Sequence, residues 1–288
     1  MSRNKDRLGL GDTTPENTAV PPQAMTQGNG ENPFSFVIPT EFVELPSKGL
    51  YYPPNHPLHN QETLEIKQMT AKEEDILTSR SLLKKGIAIE RVISSIIMDK
   101  KVNPATLLVG DRNAIIIAAR ISGYGSDYAT KITCPSCGQA DECSFDLSEL
   151  EIYHGQGLLP EEASSNDDGT FTTILPNTKV EVTFRLLNGV DERSLVDQVE
   201  NARKRKMAEN SVTRQLKHII VAVNGDVEQK NINYVVDNMP TSDSRHLRMV
   251  YKLATPNVDM IQHFECSACD FEQEMEVPLT ADFFWPDR

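Results

Sequence analysis

The sequence is poor in aromatic residues, 6% with a single tryptophan, and has no apolar run near the roughly 18–20 residues that span a bilayer. No membrane-spanning helix is expected. The start, Met1-Ser-Arg-Asn-Lys5, leads into polar sequence rather than the apolar core of a secretory signal, so synthesis and folding in a cytoplasm are expected. Positive charge is also scarce: 29 Lys and Arg stand against 42 Asp and Glu, leaving −13. Binding that rests on neutralising many phosphates draws its affinity from clustered cations that release counterions. Nucleic acid is therefore not an expected partner. No Ser, Cys or Thr stands in a recognisable nucleophile setting, and Gly110-Asp111-Arg112 lacks a phosphate-binding pattern. The carboxylates are dispersed. Neither an enzyme nor a small-molecule substrate is expected.

Cysteine is scarce too, but its placement is informative. Five in 288 residues are too few for a disulfide scaffold, and four of them form two Cys-x-x-Cys pairs, Cys134/Cys137 and Cys266/Cys269. Alternating, strand-like sequence flanks each pair, so each is expected on a tight turn that presents two thiolates, half of a tetrahedron. Together they would form a closed tetrathiolate site. Zinc takes four soft ligands in this geometry when its role is structural, and no position then remains for water or substrate. The competing readings are a thioredoxin-like redox pair, which normally opens a helix in a βαβ setting, and two unrelated buried pairs. Cys143 has no spaced partner and reads as a strand residue. Because the unfolded chain has no preformed site, zinc would tie residue 134 to residue 269 and root the insertion 138–265 at the metal.

Along the chain, residues 1–33 hold Gly, Pro, Asn, Thr and Gln with few large apolar groups, too little to offset the entropy of ordering them. A flexible arm is expected, leading into Phe34, Phe36, Val37 and Ile38, which could dock on a neighbour. A small β unit, broken by Pro and Gly turns, is expected over 34–69. Thr70-Ala-Lys-Glu73 has capping-box spacing, and Gly86 is placed to stop a helix over 71–85. Further helices are expected from Ile87 and over 113–121, then a strand over 128–133. Within the insertion, 164–170 reads as a Gly/Asp-rich loop, 171–175 and 180–187 as a hairpin turning at Pro176-Asn177, and 191–207, 212–223 and 242–253 as helices. The fold class is α+β: an arm (1–33), a β-then-helical domain (34–125), and a zinc-ribbon-rooted α+β domain (126–288).

Other residues have plainer readings. Arg203-Lys-Arg-Lys206, beside Glu200 and Glu209, reads as a solvated helix face rather than a nucleic-acid contact. His56 and His59 sit in a Pro-rich turn, and His154, His218 and His246 stand alone. His263 reads as a strand-surface residue in preference to a group bordering the zinc.

Leu45-Pro-Ser-Lys-Gly-Leu-Tyr51, Leu108-Val-Gly-Asp-Arg-Asn113, Ala119-Arg-Ile-Ser-Gly-Tyr-Gly125 and the closing Phe283-Phe284-Trp285-Pro286 resemble the T4-type phage baseplate protein family over most of 34–288. The T4 member of that family is a central hub component. The resemblance implies a place in the virion near the tail-tube tip, contact with other hub proteins or the tape-measure protein, and assembly in the host cytoplasm. It leaves open a component of the mature tail or an assembly chaperone absent from it. The family carries the zinc knuckles in many members rather than all, which suits a structural device. The competing functions are a zinc-ribbon module that binds nucleic acid or protein, and a zinc hydrolase or redox protein. The second needs an open ligand position or a reactive thiol that a closed tetrathiolate lacks.

Overall fold

The computed structural model describes residues 38–84, 86–155, 159–161, 163–208, 210–277 and 281–284. The expected arm, 1–33, lies outside them, as do Phe34, Phe36, Val37, Glu209, Trp285 and Pro286. All elements below belong to one compact unit, Thr40–Arg288.

Strands β1 (Thr40–Glu44) and β2 (Thr63–Lys67) pair antiparallel with Val43 opposite Leu64, and their alternation buries Val43, Leu64 and Ile66. The Pro- and Gly-rich connection between them is tightly built. At Gly49 (φ 71°) a Cβ would lie 2.3 Å from the Leu58 carbonyl oxygen, so only glycine fits.

Thr70 and Glu73 open α1 (Ala71–Thr78) as their spacing predicts: the Glu73 carboxylate accepts from the Thr70 N–H at 2.9 Å and its hydroxyl at 2.6 Å. The single helix expected over 71–85 is, however, two. The backbone turns extended at Ser79 and restarts as α2 (Arg80–Lys84). Here the Thr78 hydroxyl bonds back to the Glu74 and Asp75 carbonyls, while the Ser79 carbonyl accepts from Leu82 and Leu83. The Thr78 hydroxyl takes up carbonyls at the end of the first helix, and the main-chain carbonyl of Ser79 starts the next. Gly86 then stops α2 at φ 66°, with the Ile87 N–H returning to the Leu82 carbonyl. Helix α3 (Ala88–Ile96) buries the stripe Ala88, Val92, Ile93 and Ile96. Helix α4 (Val109–Tyr124) is longer than the expected 113–121 and takes in Gly123 and Tyr124 before ending at Gly125.

Strands β3 (Asp127–Thr133) and β4 (Ala140–Asp146) form the first cysteine hairpin, followed by β5 (Glu151–Tyr153). Strands β6 (Ala163–Ser165), β7 (Thr170–Ile174) and β8 (Glu181–Arg185) pair in sequence, so the expected loop 164–170 is narrower, a turn over 166–169. The β7–β8 hairpin is the one expected. Helix α5 (Gly189–Lys204) follows, then α6 (Ser211–Ile219) and β9 (Ile220–Val223). The helix expected over 212–223 thus ends at Ile219. Its β-branched tail, Ile220-Val-Ala-Val223, instead joins β8 as the fourth strand of the sheet β6-β7-β8-β9. Helix α7 (Gln229–Asn238), which the sequence reading did not single out, precedes α8 (Thr241–Ala254). Strand β10 (Asn257–Asp259) pairs with β5, and β11 (Ile261–Glu265) with β12 (Glu272–Glu276) makes the second cysteine hairpin. Helices and small antiparallel sheets together make the α+β class. Asp243, in the first turn of α8, joins helix to sheet by accepting from the N–H groups of Asn177 and Thr178 and the Thr178 hydroxyl.

One hydrophobic cluster runs from Val43 to Phe284. Two buried polar clamps cross it. Asp111, in the first turn of α4, accepts from the Ser47 N–H (2.9 Å), the Ser47 hydroxyl (2.6 Å) and the Tyr52 hydroxyl (2.8 Å). The Tyr52 oxygen in turn accepts from the Leu108 N–H at 3.0 Å. Burial pushes the Asp111 carboxyl up, partly offset by the donors from Ser47 and Tyr52. In the second clamp the buried Arg120 guanidinium donates to the carbonyls of Phe283 (2.8 Å), Gly125 (2.6 Å) and Asp127 (2.9 Å). It thereby binds the end of α4, the start of β3 and the C-terminal turn 281–284. Gly110 lets α4 approach β10 closely, since a Cβ there would fall 2.0 Å from the Pro256 carbonyl oxygen.

Candidate metal centre

Each cysteine hairpin closes with the same hydrogen bonds. In the first, the Cys134 N–H donates to the Gln139 carbonyl (2.8 Å) and the Gly138 N–H to the Cys134 carbonyl (2.9 Å). In the second, Cys266 donates to Phe271 (2.9 Å) and Asp270 to the Cys266 carbonyl (3.0 Å). The fourth residue after the leading cysteine is left-handed in both, Gly138 at φ 74° and Asp270 at φ 52°. Asp is among the few side-chain-bearing residues that enter this region readily.

The two turns face each other. Cys134 and Cys266 are buried, Cys137 and Cys269 exposed, and the four Sγ atoms lie within 4.8 Å of one another. Contact crosses between hairpins: Cys134 Sγ to Cys269 Sγ is 3.8 Å, and Cys137 Sγ to Cys266 Sγ is 3.8 Å. A disulfide needs about 2.0 Å. A tetrahedral zinc with sulfur at about 2.3 Å has edges of about 3.8 Å, so the donor set fits this ion in both chemistry and spacing.

Proton affinities within the cluster are split. The Cys134 thiol is lowered to about 7, chiefly by the Cys137 N–H, with burial opposing and the Ser136 N–H assisting. Cys269 is pushed up to about 12, first by desolvation of its sulfur and then by the neighbouring thiols, although the residue's surface is largely exposed. Four thiols this close give up a first proton readily and resist losing the last, because the charges repel. A divalent cation at their centre removes that conflict.

The remaining sequence candidates fall apart spatially or chemically. Cys143 lies within β4 opposite Thr130, as a strand residue should. His263 is exposed on β11, 3.7 Å from Glu274. Its ring, Glu265 and Glu272 form a second group with metal-ligand spacing, but all three are exposed. The stretch Arg203–Lys206 is exposed at the end of α5, with Lys204 3.2 Å from Glu200. His56 stacks on Tyr52 at 4.3 Å and reaches the Thr106 hydroxyl at 3.0 Å, so it helps fasten the turn beneath the Asp111 clamp. What sequence reasoning missed is the clamps themselves. Ser47, Asp111, Arg120 and Phe283 lie in the motif blocks singled out by resemblance, whereas Tyr52 and Asp127 fall just past the ends of two of them, and nothing local names any of their partners.

The family described as T4 bacteriophage base plate protein matches residues 40–285. The chain belongs to this family. The match spans both clamps and both cysteine turns of the baseplate protein. No similar curated protein and no similar solved structure is found. Family membership implies a place in the virion tail and contact with other phage tail proteins. No described helix is long and apolar enough to cross a membrane.

Proposed function

We propose that this baseplate protein is a non-enzymatic structural or assembly component of the baseplate hub, folded around one structural zinc and acting through contacts with neighbouring tail proteins. The observation that carries the metal is the crossed pair of 3.8 Å sulfur contacts between two turns of the same design. Cys134, Cys137, Cys266 and Cys269 would hold the ion, which supplies charge neutralisation and a cross-link between hairpins. Four protein ligands close the tetrahedron, so the metal holds the fold rather than a substrate. A nucleic-acid role for the ribbon is disfavoured by its outward face. There Glu265 stands opposite Glu272 and His263 opposite Glu274, with Glu276 beyond, and all are exposed. Such a face repels phosphate.

Elemental analysis of the purified chain is expected to find one zinc. Metal-free protein with Cys134 and Cys137 disulfide-bonded in fresh lysate would overturn the metal reading. For the hub, labelling the chain in isolated tails should mark the baseplate centre. A label along the tail or at its periphery would overturn the hub reading, and complete tails lacking the chain would make it an assembly factor only.

A further inference from the structure

Beside the second cysteine hairpin lies a cleft of about 590 Å³ between α8, the end of α6 and the segment that carries β10 into β11. Its lining is largely apolar, with Ile219, Val258 and Met260 buried in it and Ile261 half exposed at its edge. Charge around it is divided by element. Arg248 and Lys252, one helical turn apart on the exposed side of α8, contribute two cations. Asp259 and Glu276, from β10 and β12, contribute two carboxylates.

The cations have little to hold them. Neither forms an ion pair among the described residues, and the guanidinium of Arg248 makes only a 3.4 Å contact from Nε to the Ser244 carbonyl. Asp259, in contrast, already accepts from the Ile261 N–H at 3.1 Å. Arg248 and Lys252 do not pair with Asp259 or Glu276 of the same cleft, so its positive charge stays on the α8 side, apart from the carboxylates of β10 and β12. Such a pair of cations attracts a carboxylate, and an apolar floor beside it holds an aliphatic or aromatic side chain.

We propose that this cleft docks a peptide segment of another tail protein, one that inserts an apolar side chain and sets an Asp or Glu against Arg248 and Lys252. The carboxylates of Asp259 and Glu276 exclude a second acidic group from the opposite side, which fixes the direction of the segment. This inference rests on the baseplate reading and names the chemistry of one partner surface. A phosphate chain fits less well, because the face that continues from Ile261 and Glu276 carries Glu274, Glu265 and Glu272.

The test is selection of binders from a random peptide library on the full-length, zinc-loaded chain, followed by titration of the synthetic winners. Enriched peptides are expected to pair an apolar residue with a nearby Asp or Glu. Their affinity should fall about tenfold in Arg248→Glu/Lys252→Glu. Ile261→Thr, which stays β-branched and adds no charge opposite Glu276, should weaken them as well. All three positions are exposed, so the variants should keep the parent's unfolding temperature. Enrichment of basic peptides, binding that ignores these substitutions, or a dimer of the chain itself that the charge reversal abolishes would each overturn the proposal. Incorporation into tails separates the two levels. If the parent enters tails and Arg248→Glu/Lys252→Glu enters equally well, the cleft proposal alone fails. If the parent is absent from assembling tails, the baseplate reading fails.

Discussion

In the four-stranded sheet, Phe171, Val182 and Phe184 are wholly buried, and the rings of Tyr51, Phe171, Phe184 and Tyr251 follow one another at 5.1, 5.5 and 6.0 Å. The β11–β12 hairpin buries Phe264 alone among its strand residues and turns four glutamates to water, two of them directly opposite each other. Apolar burial at roughly 25 cal/mol per Å² can sustain the first region but is thin in the second, where like charges across the strands add a penalty. The sheet therefore rests on the core, and the hairpin rests on what joins Cys266 and Cys269 to Cys134 and Cys137. On the proposed reading, the metal would compensate for a poor hydrophobic interface.

The comparison breaks first at the metal. Replacing Cys266 with Ser should abolish zinc binding, and a site of this kind contributes on the order of 10 kcal/mol apparent to folding. Limited proteolysis should then cut both cysteine hairpins while β6–β9 stays protected, whereas Phe184→Ala should lower global stability by about 3–5 kcal/mol with zinc retained. Equal resistance of Cys266→Ser and parent would show that the hairpins do not depend on the site.

A smaller effect is expected where α4 packs on Pro256 and β10, outside the four-stranded sheet and just ahead of the second cysteine hairpin. Gly110→Ala drives a methyl group into the Pro256 carbonyl and should cost about 3 kcal/mol, read as a lower denaturant midpoint with zinc content unchanged. Loss of zinc in that variant would show that the metal site depends on this contact as well as on its cysteines.

Smaller still is an acid limb that belongs to the core and not to the metal. Burial tends to raise the Glu73 carboxyl, but donors from Ser95, Thr70 and Lys67 outweigh it and hold it at about 2, below its usual 4.5. Because the folded value is the lower one, its stabilisation is complete above about pH 4.5 and is lost as pH falls from there to about 2. Glu73→Gln should flatten that limb in denaturation curves measured against pH, and an unchanged slope would count against the network. Least of all should Cys143→Ser matter: it leaves the tetrathiolate intact, so zinc stoichiometry should stay at one, with stability within about 1 kcal/mol. A fall in zinc would make Cys143 part of the site.

The features that could be read from the chain are those whose cause lies within a few residues. Two Cys-x-x-Cys spacings specify two equivalent turns, Thr70 and Glu73 specify a helix start, and Pro176-Asn177 a hairpin, since each is a contact closed across three to five positions. The α+β class followed from the same local signals. Elsewhere the tertiary structure decided. Ile220–Val223 fits either a helix or a strand until β8 offers a free edge. Asp111 reads as an ordinary acidic residue until Ser47 and Tyr52, 64 and 59 positions away, supply its donors. Arg120 reads as a surface cation until three carbonyls enclose it, one of them 163 positions on. Local spacing thus predicted where the four thiols would sit along the chain. Only the closing of the core over these distant polar partners brought the two hairpins face to face.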